Sequence, residues 1–342
     1  MTRTADRKDI HLDLARAPQS RSGISHDLDR VQLEHNAMPE CHFNEIDLTC
    51  RFLGHRLSMP LMIGAMTGGT DRADAINCLL AEAANEIGIA LAVGSQRASL
   101  EAGRDQSGLR ANAPNIPIIG NLGGVQLARP GGIDLARRAV DAIEANAMAI
   151  HLNPLQEIAQ PEGDHDWRGV EEAIAALCDT LPCPVIVKEV GAGISASVAA
   201  RLMAAGVRYV DAAGLGGTNW TRIETQRRNG DEDIFTPFLD WGIPTLDAIV
   251  QIRSHLPDLG LIASGGIRHG LDAARALWLG ADMVAAAGHF LTLAEDEKTR
   301  LTPEKLGQGL ENWQLQMRIC LFLTGSRNIA EFRRARGVIK NS

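Results

Sequence analysis

The segment LIASGGIRHGLDAARALWLGADMVAAAG, residues 261–288, contains one complete strand–helix–strand repeat. Its ends, Leu261–Ser264 and Met283–Ala286, are short and largely apolar runs, a pattern typical of parallel strands buried on both faces. Between them, the apolar side chains recur at helical spacing and form one stripe, which comprises Leu271, Ala274, Leu277 and Trp278. The segment therefore predicts two parallel strands joined by an amphipathic helix.

The same kind of run recurs along the chain and alternates with helix-period segments. The other predicted strands are Leu61–Gly64, Ile89–Val93, Ile116–Asn121, Met148–Leu152, Val185–Glu189 and Tyr209–Ala213. Eight strand–helix repeats fit a closed (β/α)₈ TIM barrel, of the α/β class, better than an open doubly wound sheet. The G-x-G-x-x-G spacing of a dinucleotide-binding sheet is also absent after the first strand.

Three segments stand apart from the repeats. Residues 1–60 precede the first strand and predict an N-terminal arm or cap, so that the barrel occupies residues 61–342. The stretch Thr218–Gly242 is long for a strand–helix connection, and its two tryptophans favour a partly ordered lid. Thr302–Thr324 has Pro303 near its start and a glycine after its end, which predicts a closing helix.

The composition excludes several classes of protein. The net charge is −8, which argues against general binding to nucleic acid or to anionic membranes. The polar N-terminus lacks the apolar segment of a signal peptide, and no apolar run approaches the ~18 residues needed to span a bilayer. The six cysteines have no C-x-x-C or zinc-like spacing. We therefore expect a cytoplasmic protein that binds any anionic ligand through a local cluster of donors.

In a barrel, the functional residues follow the carboxyl ends of the strands. The first strand leads into Ala65–Gly69, whose glycine pair lets the backbone approach a flat ligand or a phosphate closely. The second leads into Gly94–Arg97, where a hydroxyl, an amide and a guanidinium suit phosphate recognition. The third ends at Asn121, whose amide is a natural partner for the edge of a heterocycle.

Four polar side chains leave the fourth strand within seven positions: His151, Asn153, Gln156 and Glu157. Such a cluster is costly at a barrel mouth unless it binds something, and the carboxylate suits a hard cation such as Mg²⁺. The fifth strand carries an inward Lys188. Its ammonium could form a Schiff base, pair with the next residue, Glu189, or stabilise an anionic flavin ring.

The loops after the last two strands predict a phosphate site. They read Ser264–Arg268 and Ala286–His289, and barrels frequently build phosphate sites from these two loops. The glycine pair admits a phosphate, and Arg268 can balance its charge. The sixth strand adds Gly214–Thr218, which offers backbone N–H groups and a hydroxyl.

The last two loops resemble those of the FMN-binding barrels. Together with Arg7-Lys8-Asp9, His11 and the segments MTGG, GSQR, HLNPLQE, KEVGAGIS and GLGGTNW, they resemble the type 2 isopentenyl-diphosphate isomerases over nearly the whole chain. The arm departs from the family's usual RKxEH, since Ile10 stands in place of the glutamate. We expect that change to leave the activity intact.

The resemblance implies an enzyme that interconverts isopentenyl and dimethylallyl diphosphate by a 1,3-proton shift. It implies reduced FMN, Mg²⁺ and NAD(P)H as the reductant, and a homo-oligomer, either a tetramer or an octamer. It assigns FMN binding to Ala65, Met66, Thr67, Ser95, Asn121, Lys188, Thr218, Gly265, Gly266, Arg268, Ala287 and Gly288. It assigns substrate binding to Arg7, Lys8, His11, Ser95, Arg97, Asn153 and Gln156, magnesium to Glu157, and catalytic roles to Gln156, Lys188 and His151.

Two other functions fit parts of the pattern. An FMN-dependent 2-hydroxy-acid oxidase or dehydrogenase on the same barrel needs a histidine base and an arginine for the substrate carboxylate, and His269 beside Arg268 could serve there. That reading gives no role to HLNPLQE or to the basic arm. A catalytically silent flavin- or phosphate-binding protein is the second alternative, and it would be yellow without turning over isopentenyl diphosphate.

Overall fold

The computed structural model describes residues 3–16, 20, 23, 27–65, 68–227, 232–296 and 298–341, with the backbone alone for residues 3–8, 232 and 233. Its strands are β1 Val31–Leu33, β2 Cys50–Phe52, β3 His55–Leu57, β4 Leu61–Ile63, β5 Ala90–Ala92, β6 Ile118–Gly123, β7 Ala147–His151, β8 Val185–Lys188, β9 Tyr209–Asp211, β10 Gly260–Ala263, β11 Met283–Ala286 and β12 Gly337–Ile339. Its helices are α1 Arg3–Arg16, α2 Asp71–Ile87, α3 Arg97–Glu101, α4 Gly108–Asn112, α5 Gly124–Leu127, α6 Gly132–Ile143, α7 Pro154–Ala159, α8 Val170–Thr180, α9 Ala196–Ala204, α10 Trp220–Arg227, α11 Glu232–Phe235, α12 Thr245–His255, α13 Gly270–Trp278, α14 Gly288–Ala294, α15 Pro303–Leu323 and α16 Ile329–Phe332.

The strands from β4 to β11 form a closed parallel barrel, which confirms the predicted (β/α)₈ fold. Each predicted strand overlaps an observed one, and the ends differ by no more than two residues. One difference affects the site. The prediction that the third strand ends at Asn121 is wrong, because β6 continues to Gly123 and Asn121 lies inside the ladder opposite Ala149.

Two apolar layers hold the barrel together. Outside, the helices pack on the strands, while the interior is filled by small and unbranched side chains, such as Ala90, Ala149 and Met283, together with Ile119. The hairpin of β2 and β3 adds Phe52 and Leu57 to this interior cluster. Because the ring of Phe52 contacts Tyr209, the first residue of β9, the hairpin closes the amino end of the barrel. None of the described helices is long and apolar enough to cross a membrane.

Local signals explain where the main helices begin and end. Thr70 caps α2 by accepting a hydrogen bond from the amide of Ala73, and Ser195 caps α9 in the same way, as its position predicts. The described part of residues 218–242 consists of α10, α11 and a 3₁₀ turn, Thr236–Phe238, and it is therefore mostly helical. Trp220 of this stretch lines the central cavity, whereas Trp241 is exposed to solvent.

Candidate functional site

A cavity of about 590 Å³ opens at the carboxyl ends of the barrel strands. Every residue of the predicted site whose side chain the structure describes lines it, namely His11, Ala65, Ser95, Arg97, Asn121, His151, Asn153, Gln156, Glu157, Lys188, Thr218, Gly265, Gly266, Arg268, Ala287 and Gly288. Arg7 and Lys8 belong to α1, but their side chains lie outside the described residues, as do Met66 and Thr67. A volume of this size is typical of a cofactor or small-molecule site.

Lys188 enters the cavity from the end of β8, between two buried carboxyl groups. Its ammonium donates to the backbone oxygen of Glu189 at 2.5 Å, and the register of the sheet puts Asp211 beside it on β9. Burial raises the pKa of Asp211 and of Glu189, and the charge of Lys188 opposes that rise in both. Ser264 also donates to Asp211 at 2.6 Å. The side chain of Lys188 is thus held between these two acids at the wall of the cavity.

Glu189 organises the loop that follows β8. One of its carboxylate oxygens, Oε2, accepts hydrogen bonds from the amides of Val190 at 2.6 Å, Gly191 at 2.5 Å and Gly193 at 3.1 Å, and also from that of Ala192. Gly191 has a φ of +146°. The carboxylate therefore fixes the loop that lines the cavity next to Lys188, a role that the segment KEVGAGIS did not reveal.

Asn121 and His151 form a pair at the bottom of the cavity. The amide nitrogen of Asn121 donates to the backbone oxygen of Val93 at 3.0 Å, and its oxygen lies 2.9 Å from Nδ1 of His151. The asparagine is thereby held at both ends of its amide and orients the histidine ring towards the cavity.

Asn153, Gln156 and Glu157 form the polar group at the start of α7. The side-chain nitrogen of Asn153 donates to Gln156 Oε1 at 3.1 Å and to Glu157 Oε1 at 3.0 Å, and the amide of Asp164 donates to Glu157 Oε2 at 2.7 Å. Each carboxylate oxygen of Glu157 keeps a lone pair for a cation. Among the described residues, no three His, Cys, Asp or Glu side chains are grouped to hold a metal ion.

Sequence analysis missed Glu224, which comes from α10 and is fully buried. One of its oxygens, Oε1, accepts from Gln156 Nε2 at 3.1 Å and lies 3.1 Å from His11 Nε2, and the other accepts from Arg227. Burial alone would raise the pKa of Glu224, but His11, Gln156 and Arg227 outweigh it and lower the pKa. The residue lies on a helix of the 218–242 stretch, so no strand-end signal could indicate it.

Two of the arginines that line the cavity, Arg97 and Arg268, differ in what their side chains contact. Arg268 donates to the buried Asp272 through Nε at 2.7 Å and to Asp29 through Nη2 at 2.7 Å, whereas no described residue forms a hydrogen bond or ion pair with the side chain of Arg97. His269 caps α13 by accepting from the amide of Asp272 at 3.2 Å, and it does not line the cavity. Arg97 is therefore the better placed of the two arginines to bind an anion.

The glycine pair after β10 is required by the packing of two loops. Gly265 has a φ of +101°, and a Cβ there would lie 2.1 Å from the backbone oxygen of Gly214. Gly266 has a φ of +74° and would meet the backbone of Gly216 at 2.6 Å. Beside them, a Cβ on Gly288 would contact only Thr218 Oγ1, at 3.4 Å, so the face of this loop is open to a ligand.

Comparisons with known proteins agree with this geometry. The model of the FMN-dependent dehydrogenase family matches residues 133–338. A protein of Xanthobacter autotrophicus named isopentenyl-diphosphate delta-isomerase is 48% identical over 333 residues, with 96% of each chain covered. One of the same name from Stutzerimonas stutzeri is 47% identical over 336 residues, again with 96% of each chain covered.

The chain belongs to the isopentenyl-diphosphate delta-isomerase family. Its barrel also resembles solved structures of more distant oxidases. A mandelate oxidase is 17% identical with a TM-score of 0.65, and the alignment covers 98% of this chain and 95% of that one. A putative lactate oxidase of Pediococcus acidilactici is 15% identical with a TM-score of 0.70, covering 99% and 95%. At these identities the likeness extends to the fold alone, so this isomerase-family chain shares a barrel with the oxidases.

Proposed function

We propose that this chain interconverts isopentenyl diphosphate and dimethylallyl diphosphate, with FMN as its flavin. The observation that carries the proposal is that one cavity contains both halves of the predicted site. Lys188 and the Gly265–Gly266 loop of the predicted flavin half line it, and so do Asn153, Gln156 and Glu157 of the predicted substrate half. The family membership of the chain supplies the identity of the reaction.

The residues present fit a flavin. Lys188 lines the cavity and can offset negative charge on a flavin ring. The open face of the loop at Gly288 can receive a phosphate beside Thr218. Reduced FMN, when bound, supplies a ring nitrogen able to take up and return a proton, which a 1,3-shift without net oxidation requires. Lys188 would lie against the charge of that ring, and Asp211 beside it on β9 would help to orient its side chain.

The diphosphate would be held on the side of Arg97. Its guanidinium lines the cavity, and Ser95 and His11 offer further donors nearby. For Arg7 and Lys8 the assignment stays a prediction, supported by their place in the turn of α1 before His11. Binding energy from this remote group would orient the alkene end without contributing to the proton transfer itself.

We extend the proposal to Mg²⁺ at Glu157. A single protein carboxylate with free lone pairs suits Mg²⁺, which usually keeps several waters and takes its other oxygens from a substrate phosphate. NAD(P)H as the reductant, a homo-oligomer and a cytoplasmic location are proposals of the same kind, supported by the resemblance and by the composition of the chain.

Gln156 would lie beside the alkene. Its amide is oriented from both ends, because Asn153 donates to its oxygen and its nitrogen donates to Glu224. The side chains of His11 and Leu12 lie over the same cavity and would exclude water from the hydrocarbon. Glu224 is thus a positioning residue for Gln156 in this proposal.

One assay tests the function. Purified protein with FMN, Mg²⁺, a reductant and isopentenyl diphosphate should give dimethylallyl diphosphate, and omission of FMN should abolish the product. The position of His269 outside the cavity argues against the 2-hydroxy-acid oxidase. Stoichiometric oxidation of lactate or glycolate, with no isomerised product, would replace our proposal by that alternative. A yellow protein inactive on all of these substrates would indicate a silent flavin-binding protein.

A further inference from the structure

Glu295 is a buried carboxylate outside the groups described so far. It follows directly after α14 and is 1% exposed. Arg72 donates to both of its oxygens, through Nε at 2.9 Å and Nη2 at 2.7 Å, and Arg16 donates to Oε2 through Nη1 at 2.7 Å. A buried carboxylate with two guanidinium partners is strongly held, and removing one partner of such a group is costly.

Arg16 connects this carboxylate to the N-terminal helix. It is the last residue of α1, and its Nη2 also donates to the backbone oxygens of Glu295 and Asp296, both at 2.8 Å. Two further side chains of α1 bind the barrel on the same side: Asp13 lies 2.8 Å from Arg72, and Asp9 accepts from Thr70 at 2.8 Å. We call this set of contacts the α1 clasp. It joins residues about 280 positions apart in the sequence.

The clasp lies on one side of α1, and the adjoining side lines the cavity together with Arg16 of the clasp itself. Asp9, Asp13 and Arg16 are spaced as neighbours on one helical face. His11, Leu12 and Ala15 line the cavity, and His11 contacts Glu224 and the ring of Trp220. The position of the clasp on the barrel therefore determines where these side chains lie over the cavity.

Apolar packing alone gives α1 little support. Leu12 is buried, but Ile10 is 46% exposed and most other side chains of RTADRKDIHLDLAR are polar. A helix of 14 residues is marginal by itself in water and needs tertiary contacts. The polar contacts of the clasp are thus the main anchor that the structure shows for the carboxyl half of the helix.

We propose that Glu295 is a positioning residue for the isomerase reaction: through Arg16, it holds α1 over the cavity so that His11 and the Arg7–Lys8 turn complete the diphosphate site. This inference rests on the proposed function. Glu295 itself does not line the cavity. Its loss should therefore weaken substrate binding much more than FMN binding or the chemical step.

The test compares Glu295→Gln with Glu304→Gln in the FMN-loaded full chain. Glu304 is exposed at the start of α15 and undergoes the same chemical change. We expect Glu295→Gln to raise the KM for isopentenyl diphosphate about tenfold or more, with kcat and FMN affinity within about threefold of wild type. Hydrogen exchange of the amides of residues 3–16 should accelerate, while exchange in α15 should not change. Glu304→Gln should behave as wild type in every measurement.

A second variant covers the case in which Glu295→Gln fails to fold. Arg16→Gln leaves Glu295 paired with Arg72 and should reproduce the faster exchange of α1. Because Arg16 also lines the cavity, the exchange rate and not the KM is the readout for this variant. If both variants fold, the acceleration of α1 exchange in the double variant should be clearly smaller than the sum of the two single effects, because both variants break the side-chain contact between Arg16 and Glu295. Additive losses would show that Glu295 does not act through Arg16 and would overturn the proposal.

The exchange measurement separates this inference from the proposed function. If the wild type does not isomerise isopentenyl diphosphate, the proposed function fails, while faster exchange of α1 in Glu295→Gln still supports the clasp. If the wild type is active and Glu295→Gln keeps both its KM and the protection of α1, the clasp has no role and the inference is overturned.

Discussion

Arg97 and Arg268 both line the cavity, yet the structure predicts opposite consequences for their removal. Among the described residues, Arg97 has no hydrogen-bond or ion-pair partner for its side chain, so Arg97→Gln removes no such contact there. Each hydrogen bond to a charged group contributes roughly 1.5–3 kcal/mol. We therefore expect the KM for isopentenyl diphosphate to rise roughly 10- to 100-fold, while the free energy of unfolding changes by no more than about 0.5 kcal/mol.

Arg268→Gln should instead destabilise the fold. The guanidinium makes four hydrogen bonds, two to the fully buried Asp272 and two to Asp29, and it lowers the pKa of Asp29 to about 2. Breaking a buried ion pair costs about 3–5 kcal/mol. Arg275 also donates to both carboxylates and compensates in part, so we expect a loss of about 2–3 kcal/mol.

Three measurements on the two variants test these opposite expectations for substrate binding and stability: steady-state kinetics, FMN titration by flavin fluorescence, and thermal unfolding by circular dichroism. An Arg97→Gln variant that is as destabilised as Arg268→Gln but keeps its KM would refute the reasoning. An Arg268→Gln variant with an unchanged melting temperature and about tenfold weaker FMN binding would instead support the phosphate role that the sequence predicts for Arg268.

Three further predictions follow from the described contacts. Glu157→Ala should abolish the Mg²⁺ dependence of turnover and leave the spectrum of bound flavin intact; full activity of this variant in the presence of EDTA would exclude Glu157 as the ligand. Phe52→Ala should lower the free energy of unfolding by about 3–5 kcal/mol, measured in urea, because it empties the closed end of the barrel; an unchanged urea midpoint would contradict that packing. Burial raises the pKa of Asp27 from 3.8 to about 6, although its carboxylate accepts from the amide of Leu246. Relative to Asp27→Asn, the wild type should therefore lose up to about 3 kcal/mol of stability as the pH rises from about 4 to about 6; parallel pH profiles of the two proteins would count against the assignment.

The barrel could be predicted because its signals are local in the sequence. Each strand is a short apolar run, each is followed by a helical stripe, and the number of repeats alone favours closure. Most residues of the cavity could be predicted for the same reason, since polar residues directly after a strand must lie at one end of the barrel. Errors arose where a strand continued past its apolar run, as at Asn121, which lies within β6.

The residues that sequence analysis missed meet their partners through contacts between distant parts of the sequence. Asp211 lies beside Lys188 through sheet register, and Glu224 reaches Gln156 from 68 positions away. Glu295 meets Arg16 across 279 positions. Nothing near each of these acids in the sequence indicates its partner, and an isolated acid in a helix or loop is far more often a solvated surface residue. Burial is what sets these acids apart from solvated ones, and burial is a property of the fold.

The first 60 residues show how contacts that the sequence does not indicate affect the functional site. Their sequence predicts a single arm or cap, whereas the described part divides between the two ends of the barrel, with the hairpin of β2 and β3 closing the amino end and α1 covering the cavity. The hairpin is secured by apolar burial at Phe52 and Leu57, but α1 is secured mainly by charged groups. Loss of one partner leaves a buried charge uncompensated at α1, whereas the hairpin spreads its burial over two large apolar side chains. The substrate half of the site should therefore be lost before the barrel itself unfolds.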